Sequence, residues 1–413
     1  MTSHKKESTF DVIISGAGPS GSTCALFLAR KGWRVLLLEK EKFPRDKICA
    51  DNKTWKCLDI VKELGLWEEF ESLPHAKIHG VLVASPSGNE MYTPLLAEDV
   101  KEKGFWYNVR RMPFDHLLVK ECQKKKTISL IENAEVIEPI WENEQMVGVK
   151  YQDKKGDIHE ARGRVGVGAD GSHSSIAQAV GLSSQVKGRY AVNSRAYFEN
   201  VSGDMDKCQL YYLKGICPGY FWIFPVDKKT CNVGIGMRPE DVRKTGKTLQ
   251  QILDETIQSE RFAGRFKHAT QVTEWKEWGL SVLGGRRKCA GNGWVLVGDA
   301  GTFAMTFSGE GCGPGMRTGK MAALAIDECL TKNDVTKNGL KVYEQNLWKI
   351  LGPEVKGFRW LEFLLLHEGV YDWVVKKAAK NQELMNLSSR MQNKYELSQQ
   401  MTSIRTIWKL VTS

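Results

Sequence analysis

Phe10-Asp11-Val12-Ile13-Ile14-Ser15-Gly16-Ala17-Gly18-Pro19-Ser20-Gly21 decides the fold, because a short β-branched run feeds directly into a glycine-rich turn. From Gly21 to Arg30, Ala25, Leu26, Leu28 and Ala29 recur at helical spacing, so the stretch reads as strand, tight turn and helix. In such a unit Gly16 permits the turn, Gly18 lets the backbone approach a pyrophosphate, and Gly21 allows the helix to pack closely on the strand. Pro19 and Ser20 complete the loop, and the helix N-terminus faces the phosphates. Gly32 sits where a left-handed cap ends a helix, and Arg34-Val35-Leu36-Leu37-Leu38-Glu39 supplies the second strand. Glu39, about 20 residues beyond the glycines, stands where a carboxylate accepts hydrogen bonds from a ribose diol, with Lys40 beside it.

Two later blocks ask for the same ligand: Gly168-Ala169-Asp170-Gly171 after Val165-Gly166-Val167, and Gly298-Asp299-Ala300-Gly301 after Trp294-Val295-Leu296-Val297. Together the three describe one dinucleotide held by distant parts of an α/β chain. The expected organisation is therefore interleaved. Residues 9–75, 106–188 and 288–332 form a Rossmann-like ligand-binding domain, and residues 76–105 and 189–287 a strand-rich substrate domain. Residues 333–413 form a helical C-terminal region. Arg111 opens a helix that returns to the first domain, and Ile128 to Gly171 reads as an antiparallel meander with turns at Asn143-Glu144 and Lys155-Gly156-Asp157.

With 413 residues, 42% hydrophobic and 26% charged, the composition is that of an ordinary soluble enzyme. Met1–Ser8 is polar and does not read as a secretory leader, and no apolar run approaches the roughly 18 residues of a spanning helix. The ten cysteines are scattered without a CxxC pair, so neither a disulfide framework nor a metal site is indicated and a reducing cytoplasm is the expected setting. Half of the net charge of +10 lies after Val374, where Lys376, Lys377, Lys380, Arg390, Lys394, Arg405 and Lys409 face only Glu383 and Glu396. Interleaved Leu384, Met385, Leu387, Met391, Leu397, Met401, Ile404, Ile407 and Trp408 make this tail read as basic amphipathic helices. Such helices lie on an anionic membrane surface or cap a domain. No nucleic-acid module accompanies the charge, so nucleic acid is not an expected partner.

The first glycine turn, the Arg111 helix and the loops Gly168–Gly171 and Gly298–Ala300 resemble the flavin-dependent group that includes aromatic hydroxylases of the p-hydroxybenzoate hydroxylase type. That resemblance implies FAD as cofactor, with Asp299 near its ribityl chain and pyrophosphate, Arg111 holding it and Asp170 on the pyrophosphate side. Gly309, Glu310, Gly311 and Cys312 continue the late cofactor loop. Within the group, Phe43-Pro44-Arg45-Asp46-Lys47-Ile48-Cys49-Ala50 is similar to the P-x-x-K-x-C-G/A element of geranylgeranyl reductases. Gly219-Tyr220-Phe221-Trp222-Ile223-Phe224-Pro225 resembles their Y-x-W-x-F-P motif. The implied reaction reduces isolated double bonds of a prenylated lipid or quinone by hydride from flavin N5, with NADPH or ferredoxin as external donor or redox partner. Tyr220, Trp222 and Phe224 alternate on one strand face and would form a flat aromatic wall ended by Pro225. Cys49 would donate a proton or shape the pocket, with Lys47 lowering its pKa. On the residues alone, the stripe also reads as a core strand and Cys49 as a small buried hydrophobe.

The chain departs from the family pattern in several places. Thr306 stands where a proline is usual, and Ser308-Gly309-Glu310-Gly311 leads into Cys312-Gly313-Pro314-Gly315, from which the next helix is expected to begin late. Ile176-Ala177 replaces the apolar residue and arginine of related hydroxylases. The strand also partly resembles the G-W-x-W-x-I-P strand of flavin-dependent halogenases, which need a relay lysine, for which Lys53, Lys56, Lys62 and Lys77 are candidates. An aromatic monooxygenase acting through a flavin hydroperoxide is a further alternative. A non-catalytic flavoprotein fits poorly with three intact cofactor blocks.

Overall fold

Val12, Ile13 and Ile14 have no polar face to offer solvent, and the Phe10–Ser15 strand is accordingly buried at the centre of a parallel sheet. In the computed structural model, which describes residues 10–182, 186, 188–305, 309–365 and 367–393, this strand lies between Val35–Glu39 and Ile158–Gly168. Ile128–Glu132 extends the sheet in parallel beyond Val35–Glu39, and Trp294–Leu296 beyond Ile158–Gly168. The pairings Ser15 to Leu38, Ser15 to Gly168 and Gly168 to Leu296 bring the strands to a common carboxyl edge. All three glycine blocks therefore emerge side by side, in the position where open α/β sheets bind ligands.

Helix Pro19–Arg30 starts at a proline whose fixed φ suits a first turn, earlier than the apolar spacing suggested. Gly16 has φ +97, and a Cβ there would sit 2.5 Å from the Ala169 carbonyl oxygen, so the first two blocks touch through backbone. Gly319 gives the same close approach between helix Cys312–Thr331 and the start of Pro19–Arg30, where a side chain would collide with the Ser20 carbonyl. That later helix begins at Cys312 rather than after the Gly-Pro-Gly. Pro314 falls in its first turn, where a backbone N–H has no intrahelical acceptor, so the proline delays nothing.

The expected meander is formed by Ala134–Glu142, Gln145–Asp153 and Ile158–Gly168, with Asn143 and Glu144 at φ +48 and +62 in the hairpin turn. Ile128–Glu132 is not part of it, because that segment pairs only with Val35–Glu39.

The second, eight-stranded sheet runs Glu90–Pro94, Gly80–Ala84, Lys207–Tyr211, Tyr220–Pro225, Thr230–Met237 and Tyr190–Glu199, with Thr270–Gln271 and Lys276–Ser281 both pairing to the last. Ala76–Ile78, expected among these strands, instead joins Asn52–Lys53 and Trp106–Asn108 in a three-stranded sheet that buries Ala76 and Ile78 in the larger core. Residues 190–285 also contain three helices, Pro239–Thr245, Leu249–Gln258 and Glu260–Phe266. Leu249, Ile252 and Leu253 pack behind the sheet with Phe221, Ile223, Val233 and Ile235 in a second apolar core. The C-terminal part is helical as expected, with Lys337–Leu365, Glu368–Ala378 and Gln382–Asn393. Thr306, Ser308 and the tail residues from Lys394 to Trp408 lie outside the described residues.

Candidate active site

A cavity of about 810 Å³ opens where the carboxyl edge of the parallel sheet faces the second sheet. Gly16, Gly18, Pro19, Ser20, Glu39, Lys40, Arg111, Asp170, Asp299, Gly309, Gly311 and Cys312 line it from the cofactor side. Lys47, Cys49, Tyr220 and Trp222 line the same cavity. The other expected site residues lie elsewhere. Gly21 and Gly298 are packing positions, where a Cβ would collide with the Gly16 carbonyl and the Ser20 hydroxyl. Glu310 is turned toward Thr54 and Lys56, accepting from Thr54 Oγ1 at 2.5 Å. Phe224 is buried in the main core, and the Pro225 carbonyl accepts from Asn108 Nδ2 at 2.7 Å.

Charges around the cofactor side are mutually fixed. Glu39 accepts the Ala17 N–H at 3.0 Å and lies 3.5 Å from Arg45, so the carboxylate that ends the second strand also braces the glycine turn. Arg111 forms a two-point pair with buried Asp115 at 2.7 Å for each contact, and Arg45 adds a third at 2.9 Å. Burial works to raise Asp115, but Arg111 and Arg45 outweigh it and hold the carboxyl below its usual range. Asp170 is pushed up by burial despite hydrogen bonds from Ser15 and Ser175. Burial likewise raises Asp299, opposed by Lys47 and Arg111. Burial brings Lys47 down to about 7 against the attraction of Asp299, and Arg111, Arg45 and Lys40 push it the same way.

The lining suits a dinucleotide at three further points. No side chain caps the N-terminus of helix Pro19–Arg30, a Cβ on Gly18 would meet nothing closer than Arg45 at 3.7 Å, and buried Asp170 Oδ1 has no protein partner. Residues 9–345 match the FAD binding domain family. The chain belongs to that family. Its cofactor is FAD and its chemistry is oxidoreduction. Among curated relatives, digeranylgeranylglycerophospholipid reductase 2 of Methanococcoides burtonii is 29% identical over 358 residues, 84% of this chain and 82% of the relative. Conditioned medium factor receptor 1 of Dictyostelium discoideum is 30% identical over 352 residues, 83% of this chain and 68% of the relative. The crystal structure of a geranylgeranyl bacteriochlorophyll reductase-like protein of Thermoplasma acidophilum superposes with a TM-score of 0.82 over 98% of this chain and 99% of that one, at 21% identity, a likeness that speaks for the fold alone.

Opposite the FAD-binding loops, one residue not singled out in the sequence ties the wall together. Asp51, fully buried with φ +70, accepts from Asn232 Nδ2 at 2.8 Å, Tyr197 OH at 2.7 Å and the Arg111 N–H at 3.0 Å. Asn232 also accepts from Trp222 Nε1 at 2.9 Å and donates to the Cys49 carbonyl at 2.7 Å. Trp222 and the Cys49 turn are thereby held to one another and to the start of the Arg111 helix. Lys47 was expected to act on Cys49, yet its ammonium lies 3.1 Å from the centre of the Trp278 ring. Cys49 Sγ accepts the Asp51 N–H at 3.4 Å. The far wall is polar: Asn193, Lys276 and Asp46 line it, and fully buried Arg195 clamps Asp46 at 2.8 and 2.9 Å. Asp115 was legible in principle from its i, i+4 spacing to Arg111. Arg195 and Asp51 have no local signature.

Proposed function

We propose that this protein saturates isolated double bonds of a prenyl chain carried by a lipid or quinone, with reduced FAD as hydride source and NADPH or ferredoxin as the external donor. One observation carries the reading. The two elements that resemble geranylgeranyl reductases, the Cys49 turn and the Tyr220–Trp222 face, line the cavity that the FAD-binding loops line. Relatives named digeranylgeranylglycerophospholipid reductase point the same way.

An isolated alkene has no carbonyl to polarise, so the protein must align the chain and supply a proton. Tyr220 and Trp222, with ring centroids 5.9 Å apart, form the aligning wall, and Asn232 fixes the indole. Phe224 lies behind that wall rather than in it. Cys49 is the proton donor in this reading. Lys47, brought to about 7 by burial, lines the same cavity with its ammonium over the Trp278 ring rather than on Cys49. Gly16, Gly18, Pro19 and Ser20 with the helix N-terminus would take the pyrophosphate, Glu39 and Lys40 the ribose end, and Asp170, Arg111, Asp299, Gly309 and Gly311 the rest of FAD. None of Lys53, Lys56, Lys62 and Lys77, nominated for a halogenase, lines the cavity.

A prenyl lipid resides in a bilayer, and the reading extends to a peripheral membrane contact. No helix among the described residues is long and apolar enough to cross a membrane. Helix Glu368–Ala378 exposes Val370 and Trp373 on the same element as Lys376 and Lys377, a composition suited to an anionic surface. The deciding experiment reduces the flavin anaerobically with dithionite and adds a geranylgeranyl lipid. Flavin reoxidation with two hydrogens gained per double bond supports the proposal. Reduced flavin that persists with the lipid, and reoxidises only with oxygen, overturns it.

A further inference from the structure

In the sheet that faces the cavity, strand Thr230–Met237 sends Val233 and Ile235 to the second core and leaves two glycines on its other side. Gly236 stands opposite Tyr220 on one neighbouring strand and Asn193 on the other, and Gly234 opposite Trp222 and Arg195. Directly opposite residues share a face, and Tyr220, Trp222 and Asn193 line the cavity, so both glycines belong to its floor. Neither has a φ in the left-handed region, so space rather than backbone conformation calls for glycine. That space is taken by two neighbours that lie down against the sheet. A Cβ on Gly234 would sit 2.7 Å from Trp222 Cε2, and one on Gly236 would collide with Asn193 Oδ1. Each group is also pinned at one edge, since Trp222 Nε1 donates to Asn232 Oδ1 at 2.9 Å and Asn193 Nδ2 to the Trp278 carbonyl at 3.3 Å. With the hydrogen-bonded ladder beneath them, either group displaced from its glycine rises into the cavity. The two positions differ in one respect. At Gly234 a Cβ would also come 2.5 Å from the Ser194 carbonyl oxygen, so the sheet itself requires glycine there. At Gly236 the nearest atoms are all side chain, Oδ1 and Cγ of Asn193 and, at 3.8 Å, Cζ3 of Trp222.

We propose that Asn193 and Gly236 set the depth of the substrate channel and through it a preference for methyl-branched chains, an inference that rests on the prenyl reading for the identity of the chain. Asn193 is the specificity-determining group and Gly236 the positioning residue that lets its amide lie flat. The channel floor is then the indole of Trp222 beside that amide, bounded by Trp278 and Leu280 on the far side. At the other side Tyr220 runs into the late FAD-binding loop, where a Cβ on Gly309 would meet the Tyr220 hydroxyl at 2.9 Å. A straight chain uses little of the depth above this floor, whereas each methyl branch fills it. A side chain at position 236 would lift the Asn193 amide into the same depth, excluding the branch by volume and placing a polar group against it. One methylene more or less in an apolar pocket changes binding by about 10–200-fold, which is the scale on which such a channel separates branched from unbranched chains.

The test measures binding rather than turnover. Oxidised, flavin-loaded protein is titrated with glycerophosphate lipids carrying phytanyl or hexadecyl chains, which share a main-chain length and differ in methyl branches, and flavin absorbance is followed. The wild-type protein should bind the phytanyl lipid about tenfold more tightly. Gly236→Ala should erase that preference, weakening the phytanyl lipid about tenfold and the hexadecyl lipid less than about twofold. Asn193→Ala added to Gly236→Ala should restore phytanyl binding, a rescue that a general packing role for Gly236 would not give. Absence of the wild-type preference, equal weakening of both lipids in Gly236→Ala, or failure of the rescue would overturn the proposal. The wild-type comparison needs no variant, so it stays decisive if Gly236→Ala misfolds. A phytanyl preference in a protein whose reduced flavin ignores a geranylgeranyl lipid would refute the reduction and leave the channel standing.

Discussion

Asp115→Asn is the perturbation that tests the charge arrangement behind the cavity. Asp115 is fully buried and takes three charged hydrogen bonds, from Arg111 Nε and Nη2 at 2.7 Å each and from Arg45 Nη1 at 2.9 Å. Asparagine keeps the shape but has one acceptor oxygen. Whichever way the amide is turned, an NH2 group faces a guanidinium N–H, and the charge opposing two arginines that are only 11% and 14% exposed is lost. One charged hydrogen bond contributes about 1.5–3 kcal/mol. Removing one partner of a buried ion pair costs about 3–5 kcal/mol in total. The expected result in urea unfolding at pH 7 is a loss of that size. The pH dependence has a definite sign. The folded-state pKa is lowered, so the Asp115 contribution is fully present above the unfolded carboxylate value of about 3.9 and disappears as pH falls through the lower folded value. The difference between wild type and variant should stay flat from about pH 8 to pH 5 and shrink only in stronger acid. A loss under about 1 kcal/mol, or a difference that fades near neutrality, would refute the assignment of Asp115 as the anchor of Arg111.

Trp222→Ala should lower turnover of long prenyl substrates about tenfold or more while flavin content stays unchanged, and undiminished turnover would remove the indole from the wall. Lys47→Met removes a group whose folded pKa is lowered to about 7, so the wild-type protein binds fewer protons folded than unfolded above that pH. Wild-type stability should therefore rise relative to the variant between about pH 7 and pH 10, which a urea midpoint series would reveal. Gly16→Ala places a Cβ against the Ala169 carbonyl at a φ of +97, and purified protein should carry little FAD; full flavin occupancy would contradict the contact between the first two glycine blocks.

What could be read without the structure follows the range of the forces involved. The strand and turn at Phe10–Gly21 are local patterns, as is the alternation that sends Phe221 and Ile223 to one core and Trp222 and Phe224 to the other. The helix Leu249–Gln258 was missed in a segment read as strand-rich, although Thr248 and Gln251 form a capping box at its start, a local signal. Other features depend on register between distant segments. Nothing within Ile128–Glu132 states that it pairs in parallel with Val35–Glu39, and nothing around Asp51 announces that Asn232, Tyr197 and Arg111 converge on it. Phe224 shows the same limit, since period-two spacing assigns it a face but not how far along the strand the cavity reaches.

The placement of Asp51 explains how one site is assembled from two sheets. Its carboxylate receives Asn232 and Tyr197 from the second sheet and the Arg111 N–H from the FAD-binding domain, while Asn232 binds Trp222 and the Cys49 carbonyl. In this set the route from Trp222 to the start of the Arg111 helix passes through two buried side chains, Asn232 and then Asp51. A displacement of about 1 Å in a reacting group is enough to cost orders of magnitude in rate, and loops alone would not maintain such a distance between two sheets. A shortened side chain at Asp51 should therefore harm catalysis more than FAD binding, because Gly16, Asp170 and Asp299 reach the cofactor cavity from the parallel sheet without it. Asp51→Ser with normal flavin occupancy and strongly reduced turnover fits this account. Equal loss of both would mean that Asp51 holds the fold rather than the spacing of the two walls.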